Sequence, residues 1–248
     1  ENLLDIYNEA LDNDPQYKSS EYSLLAGKEF VVQGRAGLLP NVTLSGSTNW
    51  NEYYQFDELQ SAYNNNSVTA RLTQPLFRLD SWFNFRRSKK LTDASEADFA
   101  YAQQNLIIRT VEKYFGVLRA IDNLNAAVSE EKAIKKQLDQ IQQRFEVGLS
   151  AITEVQEAQL AYDLSVAAKI RSEGALFNAR EELNSLIGRE IFSIDSLKAD
   201  IVPENPNPTT KQEWVDIALK NNYRLQASVL RRDASQDSAR SSASEHLP

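Results

Sequence analysis

The chain has 248 residues, a formal net charge of −8 and a pI of about 4.9, which argue against a nucleic-acid partner. Hydrophobic residues make up 42%, ordinary for a folded protein of one or two domains, and with no cysteine in these 248 residues no disulfide framework, zinc–cysteine site or lipid anchor on an N-terminal cysteine is expected. No apolar run reaches about 18 residues, so no transmembrane helix is expected.

The chain starts at Glu1 without Met or an apolar leader, which fits removal of a signal peptide, as it fits trimming of a longer chain. Residues 1–11 read as a short helix with Leu3, Leu4, Tyr7 and Leu11 on one face. Asn13-Asp14-Pro15 breaks it, because proline cannot continue a helix without losing a hydrogen bond. Residues 16–35 are helical again, weakly amphipathic, and end at Gly37-Leu38-Leu39-Pro40.

The period then changes from helix to strand. Val42, Leu44, Gly46, Thr48 and Trp50 alternate with Thr43, Ser45, Ser47 and Asn49, giving one apolar and one hydroxyl-rich face. Residues 55–66, with Asn64-Asn65-Asn66, read as a polar loop. Val68, Ala70 and Leu72 then alternate with Thr69, Arg71 and Thr73 as a second strand. Such a hairpin fits a soluble sandwich, and it also fits a membrane barrel with lipid on one side and water on the other. Aromatic residues sit at its ends: Trp50, Tyr53, Tyr54 and Phe56 at one, Phe77, Trp82, Phe83 and Phe85 at the other. They read as membrane-interface girdles or as a core cluster. Arg86-Arg87 and Lys89-Lys90 follow, as a headgroup belt or a solvated helix turn.

From 82 to 147 there is no proline and the only glycine is Gly116. Apolar residues run at helical steps from Ile107 through Tyr114, Leu118, Leu138 and Phe145. About 65 residues at about 1.5 Å each predict a helix of about 100 Å, far beyond globular lengths and suited to a coiled coil. Gly148 can hold the left-handed conformation that ends it. A returning helix runs from Ile152 to about Ile187, capped by Ser150 or Thr153 and ended by Gly188. The product is an antiparallel helical hairpin with a blunt tip. Residues 189–210, with Pro203, Pro206 and Pro208, are irregular, a linker or a strap.

From Thr210 the chain repeats itself at an offset of 208: Leu11 matches Leu219, Asn13 Asn221, Ser20 Ser228, Ala26 Ala234, and Leu39-Pro40 Leu247-Pro248. The pattern points to the first half of a two-repeat protein. An enzyme finds no support. His246 is the only histidine, no glycine-rich phosphate loop occurs, and the pairs Glu130-Glu131 and Glu181-Glu182 occupy adjacent helix positions, so they diverge as solvated faces. No cofactor or metal site is expected.

Several motifs in this order and spacing resemble the TolC family of outer-membrane efflux and secretion channels. They are Glu1-Asn2-Leu3, Leu38-Leu39-Pro40, Leu72-Thr73-Gln74 with Phe77, Tyr114-Phe115, Ala120-Ile121-Asp122, and the tip from Gln137 through Arg144-Phe145, Val147-Gly148-Leu149 and Ala151-Ile152-Thr153-Glu154-Val155. The resemblance implies an α+β membrane protein, in which a two-stranded contribution to a trimeric transmembrane β-barrel is continued by a long antiparallel α-helical coiled-coil tunnel. On that plan residues 1–40 are N-terminal tunnel helices. Residues 41–77 form the barrel hairpin with an extracellular loop at 55–66. Residues 78–188 form the periplasmic helical hairpin with its tip at 147–150, 189–211 an equatorial irregular segment, and 212–248 the start of a second repeat.

The resemblance further implies a passive, non-enzymatic duct in the outer membrane of a Gram-negative bacterium, mostly periplasmic, serving tripartite drug efflux and type I protein secretion. Its partners would be a periplasmic adaptor protein and an inner-membrane pump or ABC transporter. Val147, Gly148 and Leu149 match the tip that adaptors grip; read alone, they form a plain helix–helix turn whose Val and Leu staple the two helices together. Gln137, Thr153 and Glu154 match positions that hold the tunnel's periplasmic end closed, with Glu154 standing where the family has Asp. Trp50, Tyr53, Tyr54, Phe77 and Trp82 would line the membrane interfaces. The family's constriction ring lies in the second repeat. The alternative is a soluble coiled-coil scaffold or adaptor with a small β module.

Overall fold

A computed structural model describes residues 1–197 and 205–244. The elements in order are α1 (Leu3–Asn13), α2 (Pro15–Ala36), β1 (Asn41–Gln55), β2 (Glu58–Thr73), α3 (Leu79–Glu146), α4 (Ile152–Ile187), α5 (Lys211–Asn221) and α6 (Tyr223–Ser244). The chain divides into two compact units, one of residues 1–22 and 100–216, the other of residues 23–99 and 217–248. His246, the Leu247-Pro248 half of the repeat and Pro203 lie outside the described residues.

In the first unit, α1 is opened by Asn2, whose side chain accepts from the Leu4 and Asp5 amides while Asp5 accepts from the Asn2 amide, a complete capping box. The buried face of α1 is Ile6 and Ala10, both without exposed surface. Leu3, Tyr7 and Leu11 flank them, whereas Leu4, expected on the same face, is exposed. Positions 3, 7 and 11 share a stripe centred near 6 and 10, and position 4 lies at its edge. Leu106, Tyr114, Val117 and Leu118 of α3 and Leu183, Leu186 and Ile187 of α4 complete the core. Among the described residues, Lys169 Nζ meets Glu131 Oε2 at 3.2 Å, and Lys113 Nζ donates to the Glu182 carbonyl at 2.8 Å and to Ser185 Oγ at 3.5 Å, tying the antiparallel long helices outside that core. Glu131 therefore faces the partner helix, not bulk solvent as its sequence position suggested.

Residues 189–197 are a strap. Ile191 and Ile194 pack on the core, the Ile191 amide donates to Asn184 Oδ1 at 2.9 Å, and the Tyr114 hydroxyl donates to the Asp195 carbonyl at 2.8 Å. Burial, aided by the charge of Asp195, pushes the Tyr114 phenol above its ordinary value. Asp14 ends α1 and opens α2. Its carboxylate accepts from the Tyr17 amide at 2.9 Å and from Arg109 Nη2 at 2.5 Å, and it is buried.

The sequence repeat is visible in the structure. The helices α5 and α6 have the same lengths as α1 and α2, 11 and 22 residues, and each begins and ends 208 positions later. Their hydrogen bonds repeat too. The Asp14 amide donates to the Ala10 carbonyl, and the Asn222 amide to the Ala218 carbonyl. Asp14 Oδ2 accepts from the Tyr17 amide, and Asn222 Oδ1 from the Leu225 amide. Thr210 accepts from the Glu213 amide as Asn2 does from the Asp5 amide.

In the second unit, α2 packs on the first part of α3 through Gly27 and Gly34. A Cβ on Gly27 would lie 2.4 Å from Ser95 Cβ, and one on Gly34 would lie 2.6 Å from Ser88 Cβ. Thr92 Oγ1 donates to the Gly27 carbonyl at 2.9 Å, which the absence of a side chain permits. We expect Gly27→Val to destabilise the protein by roughly 1–3 kcal/mol through overpacking, measured as a lower melting temperature, while Gly116→Ala, where a Cβ meets nothing within 4 Å, is tolerated.

The strands β1 and β2 form one antiparallel hairpin, from Asn41 opposite Thr73 to Gln55 opposite Glu58, with a register shift between Tyr53 and Tyr54. The polar segment 55–66 is therefore strand apart from a two-residue turn at Phe56-Asp57, where both residues hold positive φ, 51° and 62°. Asn65 and Asn66 extend the ladder opposite Asn49 and Thr48 instead of breaking it. Thr48 Oγ1 lies 2.7 Å from Asn66 Oδ1 and 2.9 Å from Asn64 Oδ1.

Candidate functional site: tip, gate positions and hairpin faces

The tip is built by a Schellman turn. Gly148 holds φ of 78°, its amide donates to the Phe145 carbonyl at 2.9 Å, and the Leu149 amide donates to the Arg144 carbonyl at 2.8 Å. These bonds satisfy carbonyls that the end of α3 would leave open. Val147 and Leu149 stand at 69% and 70% exposure, with Ile152 beside them at 51%. The two tip residues do not staple the helices together; they present an apolar knob. Neither Ser150 nor Thr153 caps α4. Its N-cap is Ala151, without a side-chain bond, because the Ser150 hydroxyl turns to the Glu154 carboxylate. Gly188 ends α4 in the left-handed conformation, as expected, its amide donating to the Asn184 carbonyl at 2.8 Å.

Of the three gate candidates, Thr153 and Glu154 lie together in the first turn of α4 and are exposed, and Gln137 is exposed on α3. Glu154 sits in the first turn of α4, near the positive end of its dipole. The one described bond to its carboxylate is local, from the Ser150 hydroxyl.

The hairpin separates two chemistries. One face carries Val42, Leu44, Val68 and Leu72, each 68–81% exposed, then the polar Thr48, Asn64 and Asn66 beside Trp50, and reaches Glu52, whose carboxylate accepts from Trp50 Nε1 at 3.0 Å and from the Tyr54 hydroxyl at 2.8 Å. The other face is mostly hydroxyl and amide, with Arg71 near one end and Tyr63 near the other, and the Ser47 and Ser67 hydroxyls lie 2.8 Å apart across the strands. Tyr53 falls on this polar face, opposite Ser61, so it does not join Trp50 and Tyr54. At the other end Phe77 is 87% exposed and Trp82 half-exposed, the latter 6.0 Å from the Phe85 ring.

The basic run after the hairpin splits by face. Arg86 and Lys90, four apart on α3, turn onto Asp237 of α6, which has no exposed surface. Lys90 Nζ and Arg86 Nε lie 3.3 and 3.6 Å from its Oδ2, and Arg240 Nη1 donates to its Oδ1 at 3.0 Å. Burial opposes the charge, but the Lys90 and Arg240 bonds, with Arg86 nearby, hold the carboxyl below its ordinary value. Arg87 and Lys89 stay exposed. Sequence reasoning missed Asp237. Its only cue was a polar residue within a stripe of small ones, Ala227, Ala234, Ser241 and Ser244.

No described helix is long and apolar enough to cross a membrane. Over residues 6–189 the chain matches the family described as outer membrane efflux protein. It is 34% identical over 248 residues to the outer membrane protein TolC of Vibrio cholerae, covering all of this chain and 56% of that one. It is 31% identical to TolC of Escherichia coli over 253 residues, all of this chain and 50% of that one, and 30% identical over 233 residues to the alkaline protease secretion protein AprF of Pseudomonas aeruginosa, 90% of this chain and 48% of that one. Among solved structures, the Campylobacter jejuni CmeC outer membrane channel superposes with a TM-score of 0.79 at 19% identity, over all of this chain and 54% of that one. The chain thus spans about half the length of the curated relatives it matches. On the matched span, 184 of its 248 residues, the chain belongs to the outer membrane efflux protein family.

Proposed function

We propose that this chain is the first half of a passive, non-enzymatic duct in the outer membrane, through which drugs and secreted proteins leave a Gram-negative cell. The observation that carries this reading is the exposed apolar face of the hairpin. Two strands alone are marginal in water, and four large apolar side chains open to solvent on a bare two-stranded sheet are an aggregation liability. Lipid on that face and water on the other resolve both problems once the edges close into a barrel. From Val42 to Trp50 the strand climbs eight residues, about 26 Å along its length and about 20 Å in height at a tilt of about 40°, close to the height of a lipid-facing band. Trp50 and Tyr54 then mark the outer interface, Phe77 and Trp82 the inner one, and Tyr53 faces water.

Three such subunits, each with a second repeat, supply the remaining strands. Exposed apolar residues along α4, Leu160, Leu164, Ile170 and Phe177, fit contact with further helices of a tunnel. Val147, Gly148 and Leu149 are the docking knob for a periplasmic adaptor, which joins the duct to an inner-membrane pump or ABC transporter. Gln137, Thr153 and Glu154 hold the periplasmic end closed. Removal of the gene is expected to raise retention of a fluorescent efflux dye several-fold, and its return on a plasmid to restore export. Equal dye export with and without the gene would sink the efflux reading.

A further inference from the structure

We infer that Arg71 is a specificity-determining residue of the duct, biasing passage toward anions at the inner end of the barrel; the inference rests on the membrane-barrel reading of the hairpin. Between Asn41 and Thr73 the charged residues are Glu52, Asp57, Glu58 and Arg71. Glu52 belongs to the face that carries Trp50, beyond the apolar band, and Asp57 and Glu58 lie at or beside the turn. Arg71 stands alone on the hydroxyl face, opposite Thr43, near the end where the hairpin meets the helices. It is exposed. The nearest arginine in sequence beyond the strand, Arg78, is paired with Asp80.

The charge is thus sorted along the hairpin. Three acids mark the outer end and one cation the inner end; Glu58 is thirteen strand residues from Arg71, about 43 Å, and Glu52, opposite Ala62, is nine, about 30 Å. The intervening lining is uncharged, so nothing on the hairpin neutralises Arg71. Every subunit of a closed barrel would contribute the same guanidinium to the water-filled lumen, and a ring of like charge in a narrow pore selects by sign. A guanidinium cannot lose its charge at any physiological pH, so the bias is permanent. An anionic cargo leaving the tunnel meets this ring first, and a cation entering from outside meets it last.

The test is the reversal potential of the complete, detergent-purified protein in a planar bilayer under a potassium chloride gradient. Wild type is compared with Arg71→Lys, Arg71→Gln and Arg71→Glu. We expect the anion-to-cation permeability ratio to be held by Lys, to fall at least about twofold with Gln at about 0.01 M salt, and to fall further with Glu. The difference should shrink at about 1 M, where the Debye length is about 3 Å. Arg71 is exposed and without a packing role, so a folding defect would not produce that order or that salt dependence. Identical reversal potentials in all four proteins, with normal conductance, would overturn the inference and leave the duct standing. Absence of any conductance, wild type included, would overturn the duct itself.

Discussion

Replacing Val147 and Leu149 together by Asp is expected to weaken adaptor binding by about 100-fold or more while leaving abundance and melting temperature unchanged. A 100-fold loss is about 2.7 kcal/mol, within reach of two central apolar contacts converted to charges that would be buried unpaired. The fold should not notice, because both side chains are about 70% exposed and touch no core residue. Gly148→Val should act on the same contact by a different route. At φ of 78° a β-branched residue is strained by roughly 1–2 kcal/mol, although open space surrounds the Cβ. Relief of that strain would open the Schellman turn and displace both knob residues. Titration of the purified complete protein with its adaptor reads both variants. Unchanged affinity in the double Asp variant would remove these residues from the docking site.

Asp237→Ala should be the most destabilising single change in the second unit. The acid has no exposed surface, and three cations converge on it. Breaking a buried pair costs about 3–5 kcal/mol when the survivor is trapped. Here Arg86, Lys90 and Arg240 retain 25–53% side-chain exposure and regain some hydration, so about 2–3 kcal/mol is expected. The same cluster sets an acid limit. The folded carboxyl titrates below its ordinary value, so its stabilisation is complete above the ordinary Asp range, about pH 4, and is lost as pH falls through the lower folded value. The gap in melting temperature between wild type and Asp237→Ala should therefore be full at pH 7 and narrow progressively as pH falls below about 4. A constant gap between the two curves would contradict the ion cluster as the cause.

The helical hairpin was legible because its punctuation is glycine. Gly148 and Gly188 interrupt a three-and-four apolar rhythm where left-handed backbone is required, and both hold it. The repeat was legible from pairs such as Leu11 and Leu219, but the second helix break, at Asn222, was not, because no proline follows it as Pro15 follows Asp14. The hairpin's length was not legible. Its turn, Phe56-Asp57, contains no glycine, while Asn64-Asn65-Asn66 looks like a turn and is held in strand by cross-strand bonds to Thr48. The capping of α4 was misjudged because a serine beside a glutamate has two partners to choose from, and at Ser150 the carboxylate won. Asp237 was hidden because its burial depends on cations about 150 positions away, which no local pattern encodes.

Native mass spectrometry of the protein extracted from its own membrane in detergent tests the central claim most directly, since it reports subunit mass and copy number together. A subunit of about twice 28.0 kDa, in threes, is the predicted result. A monomer or dimer that stays soluble without detergent would contradict the shared barrel and favour a soluble coiled-coil scaffold.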